Sequence, residues 1–268
     1  MQTKLEAPLT VPSPRKDPAV ALCGVGRRYR STRGSVRALD RLDLELREHE
    51  LVAVLGPSGC GKSTMLELIA GLQEPDAGEV AVMGSSVARD RLNACAYMPQ
   101  RDLLLPWRDV LSNAALALEC QGVGGAEARR CALPLFARFG LAGFEHALPR
   151  ELSGGMRQRV SFLRTLLTGR PVLLLDEPFA SLDSIARASM QQWLADALAA
   201  EPRTVVAVTH DVDEALYLAD RVAVLSGRPG HVVAEIEVDR ARPRNRRETV
   251  TSAAFGALKQ HALEALGC

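Results

Sequence analysis

Short runs of apolar residues bounded by turn residues recur along the chain, at 51–55, 172–175, 205–208 and 222–225. Each run is nearly continuous rather than alternating, the pattern of a strand buried on both faces. Amphipathic stretches separate them, at 184–200 and 211–219. Strands alternating with helices predict an α/β fold built on a mainly parallel sheet. Residues 101–168 differ: they carry helical patterns with few β-branched residues and predict a helical insertion between strands. After Gly230 a strand-like run covers 231–238. A basic stretch, DRARPRNRRE, follows, and a last amphipathic helix is predicted at 252–266. The chain shows no internal repeat and no long low-complexity tract.

Composition narrows the classes. The 268 residues can bury a real core. Lys+Arg total 33 against Asp+Glu 32, a formal net charge of +1. Nucleic-acid binders usually carry a strong basic excess, so no nucleic-acid partner is expected. No stretch approaches the roughly 18–20 apolar residues of a membrane span. The first 18 residues, rich in Pro and polar groups, lack an apolar core of signal-peptide length and read as a disordered tail. A cytosolic chain whose link to a membrane runs through a partner is the expectation. The cysteines, Cys23, Cys60, Cys95, Cys120, Cys131 and Cys268, form no CxxC pair and read as reduced, mostly packed thiols.

The candidate chemistry starts after the first buried strand. GPSGCGKST, at 56–64, follows the apolar run and precedes MLELIAGL, a helical pattern. This is the phosphate-loop pattern G-x-x-x-x-G-K-[ST] in its strand–loop–helix context. Gly56, Gly59 and Gly61 let the backbone curl so that N–H groups of Pro57's successors Ser58 and Cys60 can face one point. The helix start adds partial positive charge there. Lys62 can reach the β- and γ-phosphates, Ser63 can ligate Mg²⁺, and Thr64 can contact a phosphate.

The second apolar run, PVLLLDEP, ends in two carboxylates, Asp176 and Glu177. The C-terminal edge of a parallel sheet is where α/β folds bind ligands. Asp176 suits the Mg²⁺ shell. Glu177, next along the strand, is expected to point differently, towards an attacking water. A general base there contributes about 10²–10⁴ in rate.

LSGGMRQRV, at 152–160, resembles the signature of ATP-binding-cassette ATPases and lies shortly before the acidic strand. Ser153, Gly154 and Gly155 open a helix and present N–H groups and a hydroxyl to a phosphate. An ordinary Ser cap explains Ser153 but not the two glycines, which disfavour helix. Other motifs of that family stand in order over about residues 20–230. Tyr29 matches the aromatic that stacks on adenine. Gln100 matches the glutamine linking sheet and helical part. SLD at 181–183 follows the acidic strand, and His210 follows the strand at 204–209. Met156, DLLLPWRDVLSNA and GRPGHVVAEIEV resemble importers of nitrate, sulfonate and taurine type, to which bicarbonate and thiamine-precursor importers are similar.

The resemblance implies a P-loop NTPase core at 19–239, with N-terminal antiparallel strands and the helical part at 101–168 inserted. A basic linker and helix at 240–268 follow. It further implies ATP and Mg²⁺ as cofactors, with Ser63, Gln100 and Asp176 at the metal. Glu177, His210 and Gln100 would be the catalytic set. Two copies would sandwich ATP between one copy's phosphate loop and the other's signature. The pair would sit on permease subunits at the cytoplasmic face of the inner membrane, served indirectly by a solute-binding protein. Coupling helices of the permease would dock near residues 103–107, against a local-core reading of Leu104, Leu105 and Trp107. The stretch 240–247 reads equally as a lipid-headgroup contact or a solvated linker. Rival classes are a cassette ATPase of DNA repair or translation, and a nucleotide-gated structural subunit. The first usually carries coiled-coil or zinc insertions or a second cassette, and none is found in this sequence. The second needs a damaged catalytic set, whereas Lys62, Asp176, Glu177 and His210 are intact. A P-loop GTPase is disfavoured because no NKxD-type guanine reader is found.

Overall fold

The computed structural model describes residues 17–31, 34–180, 182–239 and 246–267. The chain begins with two long strands, β1 (Val20–Ser31) and β2 (Gly34–Leu46). The buried strand β3 (Leu51–Leu55) runs into helix α1 (Lys62–Ile69). Next come β4 (Ala77–Val82), α2 (Ala88–Ala94) and β5 (Cys95–Met98). Three α-helices follow without a strand among them: α3 (Val110–Cys120), α4 (Gly125–Ala132) and α5 (Gly154–Leu166). The chain then alternates through β6 (Val172–Asp176), α6 (Ser184–Ala200), β7 (Thr204–Thr209), α7 (Val212–Leu218) and β8 (Arg221–Leu225). It closes with β9 (Val232–Glu237), α8 (Arg246–Val250) and α9 (Ala253–Leu266).

Two sheets form. The larger has the order β5-β6-β7-β3-β8-β9, parallel except for β9 at its edge. The smaller is antiparallel, in the order β2-β1-β4. Strands β3, β6 and β7 are buried at every position, which explains why their sequences read as continuous apolar runs. Their side chains still alternate by face. Val52 and Val54 join Val206, Val208, Met65 and Leu66 and the inner face of the small sheet in one core. Leu51, Ala53 and Leu55 join Phe162, Leu194 and Leu216 in the other. The sheet is thus a partition between two cores, with the small sheet and α1 on one side.

Predicted and observed elements agree closely at β3 and α6, and α9 begins one residue after the predicted start, capped by Ser252, whose side chain accepts from Phe255 N. Other readings are corrected. Cys60 and Cys95 are buried, but Cys23, Cys120 and Cys131 are exposed, so the thiols are not mostly packed. Spacing along a sequence does not say which face of a strand or helix a cysteine takes. Cys268, Ser181, residues 1–16 and residues 240–245 lie outside the described residues. Of the basic stretch, Arg246 is spent within the fold: its Nε donates to Gln191 Oε1 at 3.1 Å, and its guanidinium lies 5.8 Å from the Tyr217 ring centre. Among the described residues no helix is long and apolar enough to cross a membrane.

Candidate active site

Sheet order assembles the site. β5, β6, β7 and β3 lie side by side and parallel, so their C-terminal ends share one edge. The chain leaving that edge carries Gln100 after β5, Glu177 after β6, His210 after β7 and the phosphate loop after β3. Strand pairing therefore brings together residues separated by up to about 150 positions in sequence.

The loop from Gly56 to Gly61 is shaped by backbone freedom and close contact. Gly59 has φ 77° and Gly61 φ 110°, the left-handed region that a side chain makes costly. A Cβ on Gly61 would also meet Ala38 O at 2.8 Å and Leu39 Cδ2 at 2.7 Å. Lys62 is buried, and its Nζ donates to Gly56 O at 2.7 Å and Pro57 O at 3.0 Å. An ammonium has three donors, so one remains for a ligand. Cys60 turns its thiol into the core beside Met65, so it serves as a filler and contributes only backbone to the loop.

A cavity of about 460 Å³ opens above this loop. Ser58, Gly59, Gly61, Lys62, Ser63 and Thr64 form its floor, and Asp176, Glu177 and Gln100 one wall. Tyr29 and its cross-strand partner Val36 stand at the rim on the small sheet, with Ala38 beside them. The Tyr29 hydroxyl donates to Gln73 Oε1 at 3.0 Å, which fixes the ring at the mouth.

Asp176 is buried at the end of β6, hydrogen-bonded by the Ser63 hydroxyl and, at 3.4 Å, by the Tyr97 hydroxyl. Burial pushes its carboxyl above the usual carboxylate range, partly offset by Ser63, with Glu177 adding to the rise. The same burial, with the Asp176 charge, pushes the Tyr97 phenol up. A desolvated carboxylate beside a serine hydroxyl and a glutamine amide is a set of hard oxygen donors that fits Mg²⁺.

Glu177 departs from the expectation of an ordinary strand residue. β6 ends at Asp176, and Glu177 has φ 48°, a left-handed conformation costing on the order of 1–2 kcal/mol for a residue with a Cβ. Its N–H is held by Val208 O at 2.9 Å. The turn sends the carboxylate between two donors: Gln100 Nε2 lies 3.0 Å from Oε2, and His210 Nδ1 lies 3.2 Å from Oε1. A carboxylate oriented in this way, with 15% of its side chain exposed, can take a proton from a water in the cavity. The pairing leaves the Gln100 carbonyl oxygen and His210 Nε2 for other partners.

The matches with known proteins agree with this geometry. A sequence model of the family described as ABC transporter matches residues 39–180, just over half of the chain. The chain belongs to the ABC transporter family. It is an ATP-binding, ATP-hydrolysing member. It is 45% identical over 245 residues to the aliphatic sulfonates import ATP-binding protein of Rhodococcus jostii, covering 91% of this chain and 92% of that one. Identity is 46% over 200 residues to the formylaminopyrimidine import ATP-binding protein of Halalkalibacterium halodurans, covering 75% and 78%. It is 43% over 208 residues to the taurine import ATP-binding protein of Rhizobium johnstonii, covering 78% and 79%. Among solved structures, a dimeric ATP-binding cassette in a post-hydrolysis state with ADP and Pi superposes with TM-score 0.76 at 31% identity, covering 83% of this chain and all of that one.

In this ABC ATPase the signature residues stand apart from the cavity. Ser153 caps α5, accepting from Met156 N at 3.2 Å, and Gly154 and Gly155 form the first turn. None of the three lines the cavity floored by Lys62. Three cavity residues were missed by motif reading: Val36, Ala38 and Arg228. Arg228, on the β8–β9 turn, lines the cavity and donates from Nε to Gly59 O at 2.9 Å. Its sequence signal is its place in GRPGHVVAEIEV, a stretch that marks the importer resemblance without giving the arginine a role.

Proposed function

We propose that the chain energises an importer for small sulfur- or nitrogen-containing nutrients such as sulfonates, taurine or nitrate. It would work as a pair docked peripherally on permease subunits at the cytoplasmic face of the inner membrane. A solute-binding protein would deliver cargo from the other side. The observation that carries the ATPase half of this reading is the convergence of Lys62, Asp176, Gln100 and Glu177 on one cavity, with Gln100 and His210 both bonded to the Glu177 carboxylate. The importer half is supported by similarity to import ATP-binding proteins. Those relatives differ in their named cargo at nearly equal identity, as expected of a subunit that powers transport without touching the solute.

In this reading Tyr29 stacks on adenine, and the loop N–H groups with Lys62, Ser63 and Thr64 take the phosphates. Ser63, Asp176 and Gln100 would hold Mg²⁺, which would neutralise charge on the β- and γ-phosphate oxygens. Glu177 accepts a proton from the attacking water as its oxygen bonds to the γ-phosphorus and the bond to the β-phosphate oxygen breaks, giving ADP and phosphate. His210, positioned beside Glu177, would orient that carboxylate towards the γ-phosphate end of the nucleotide. Ser153, Gly154 and Gly155 of a second copy close the site, since this chain's own do not reach it. The test is Lys62→Ala in the full chain. Loss of ATP binding or turnover by at least tenfold is expected, and turnover at the wild-type rate would overturn the assignment.

A further inference from the structure

We propose that Arg228 is a nucleotide-binding residue, a guanidinium that takes oxygens of the bound polyphosphate alongside Lys62. The proposal rests on reading the cavity as the nucleotide site, and it adds a cation from outside the phosphate loop.

The turn between β8 and β9 is built against that loop. Gly230 N donates to Ala38 O at 2.9 Å, and Asp40 N donates to Gly230 O at 3.1 Å. Gly230 lies so close to the loop that a Cβ there would meet Cys60 O at 2.3 Å. Ser226 Oγ braces the turn, donating to Pro229 O at 3.1 Å and lying 2.9 Å from His231 Nδ1. Arg228 thus projects from a turn tied to both β2 and the phosphate loop. Its Nε donates to Gly59 O at 2.9 Å, and its Nη2 would lie 2.8 Å from a Cβ at Gly59. The glycine leaves space that the guanidinium uses.

Charge supports the assignment. The carboxylates of the cavity are Asp176 and Glu177, and its cations are Lys62 and Arg228. A nucleoside triphosphate brings several further negative charges. Lys62 already donates to two carbonyls. Arg228 has five N–H donors, and only Nε has a partner among the described residues. A guanidinium fork matches phosphate oxygens in a way a single ammonium does not.

The test compares Arg228→Ala, Arg228→Lys and Lys62→Ala in the full chain. Dissociation constants for ATP, ADP and AMP are measured without Mg²⁺, at low and high salt, with unfolding midpoints of the ligand-free proteins. Arg228→Ala is expected to weaken ATP and ADP about tenfold, the order of one charge-assisted hydrogen bond. AMP binding and the midpoint should stay unchanged, the salt dependence for ATP should shrink, and Arg228→Lys should recover part of the loss. Wild-type ATP affinity in Arg228→Ala, with Lys62→Ala defective, overturns the proposal and leaves the site reading intact. Wild-type affinity in both variants overturns the site reading and the proposal together. Equal weakening for all three nucleotides with a lowered midpoint makes Arg228 structural and also overturns the proposal.

Discussion

At the residue scale, charge at the sheet edge is governed by burial. Glu214, one turn after His210, is 6% exposed and receives Gln191 Nε2 at 3.3 Å. Burial pushes its carboxyl up to about 7; Asp211 adds to the rise, while Thr209, Arg187 and Gln191 oppose it. Glu177 and His210 share with it a small polar cavity of about 40 Å³. Because the folded value lies above the unfolded one, the protonated carboxyl favours the fold. That contribution is complete below the ordinary glutamate value and is lost as pH rises through about 7. Glu214→Gln keeps the shape without the charge. It should therefore be more stable than wild type at pH 8, by on the order of 2 kcal/mol, and the gap should close towards pH 5. Thermal unfolding of both proteins across that range checks it, and parallel pH profiles would sink it.

At the element scale, helix α5 and the segment after Gln100 form one unit. Arg157 Nε, one turn into α5, donates to Asp102 Oδ2 at 3.1 Å. Arg164, near its end, donates to Leu103 O at 3.0 Å and Asp102 O at 2.7 Å. Buried Asn113 pins the far side, accepting from Leu105 N at 2.7 Å and donating to Leu105 O at 3.1 Å. Leu104 packs on the core, while Leu103 and Trp107 remain exposed, Trp107 at 74%. An indole presented to solvent on a braced segment is suited to anchor a partner. Trp107→Ala should weaken co-purification with the permease, or uncouple transport, by about tenfold, while ATP affinity stays unchanged. Undiminished assembly and transport would show that the indole anchors no partner.

For the whole molecule, the separation of the two helix starts at Lys62 and Ser153 is the reason a pair is proposed. Lys62 opens α1 at the cavity, and Ser153 caps α5 outside it. In the proposed pair, a second copy would supply the missing half. Glu177→Gln removes the proposed base yet keeps an amide where the carboxylate sat, so ATP should bind and persist. That variant should move from monomer to dimer on a sizing column when ATP is added. Adding Ser153→Arg should abolish the shift without reducing ATP binding at the phosphate loop. A Glu177→Gln protein that stays monomeric at saturating ATP would refute the isolated homodimer.

What the sequence determined by itself is local. Strands buried on both faces show as apolar runs, so β3, β6, β7 and β8 were legible almost to the residue. The phosphate loop, the DE pair and the Ser-Gly-Gly helix start were legible because their chemistry is carried by neighbouring residues. Tertiary structure alone decided which distant ends meet. The order β5-β6-β7-β3 sets Gln100 and His210 on either side of Glu177, and no residue's own neighbours encode that order. It also decided what depends on a turn's path. The φ of Glu177 and the reach of Arg228 to Gly59 come from packing between segments up to 169 residues apart. The exposure of Cys131 and the use of Arg246 inside the fold are decisions of the same kind. Short-range pattern selects an element, whereas the face an element buries depends on the surface that packs against it.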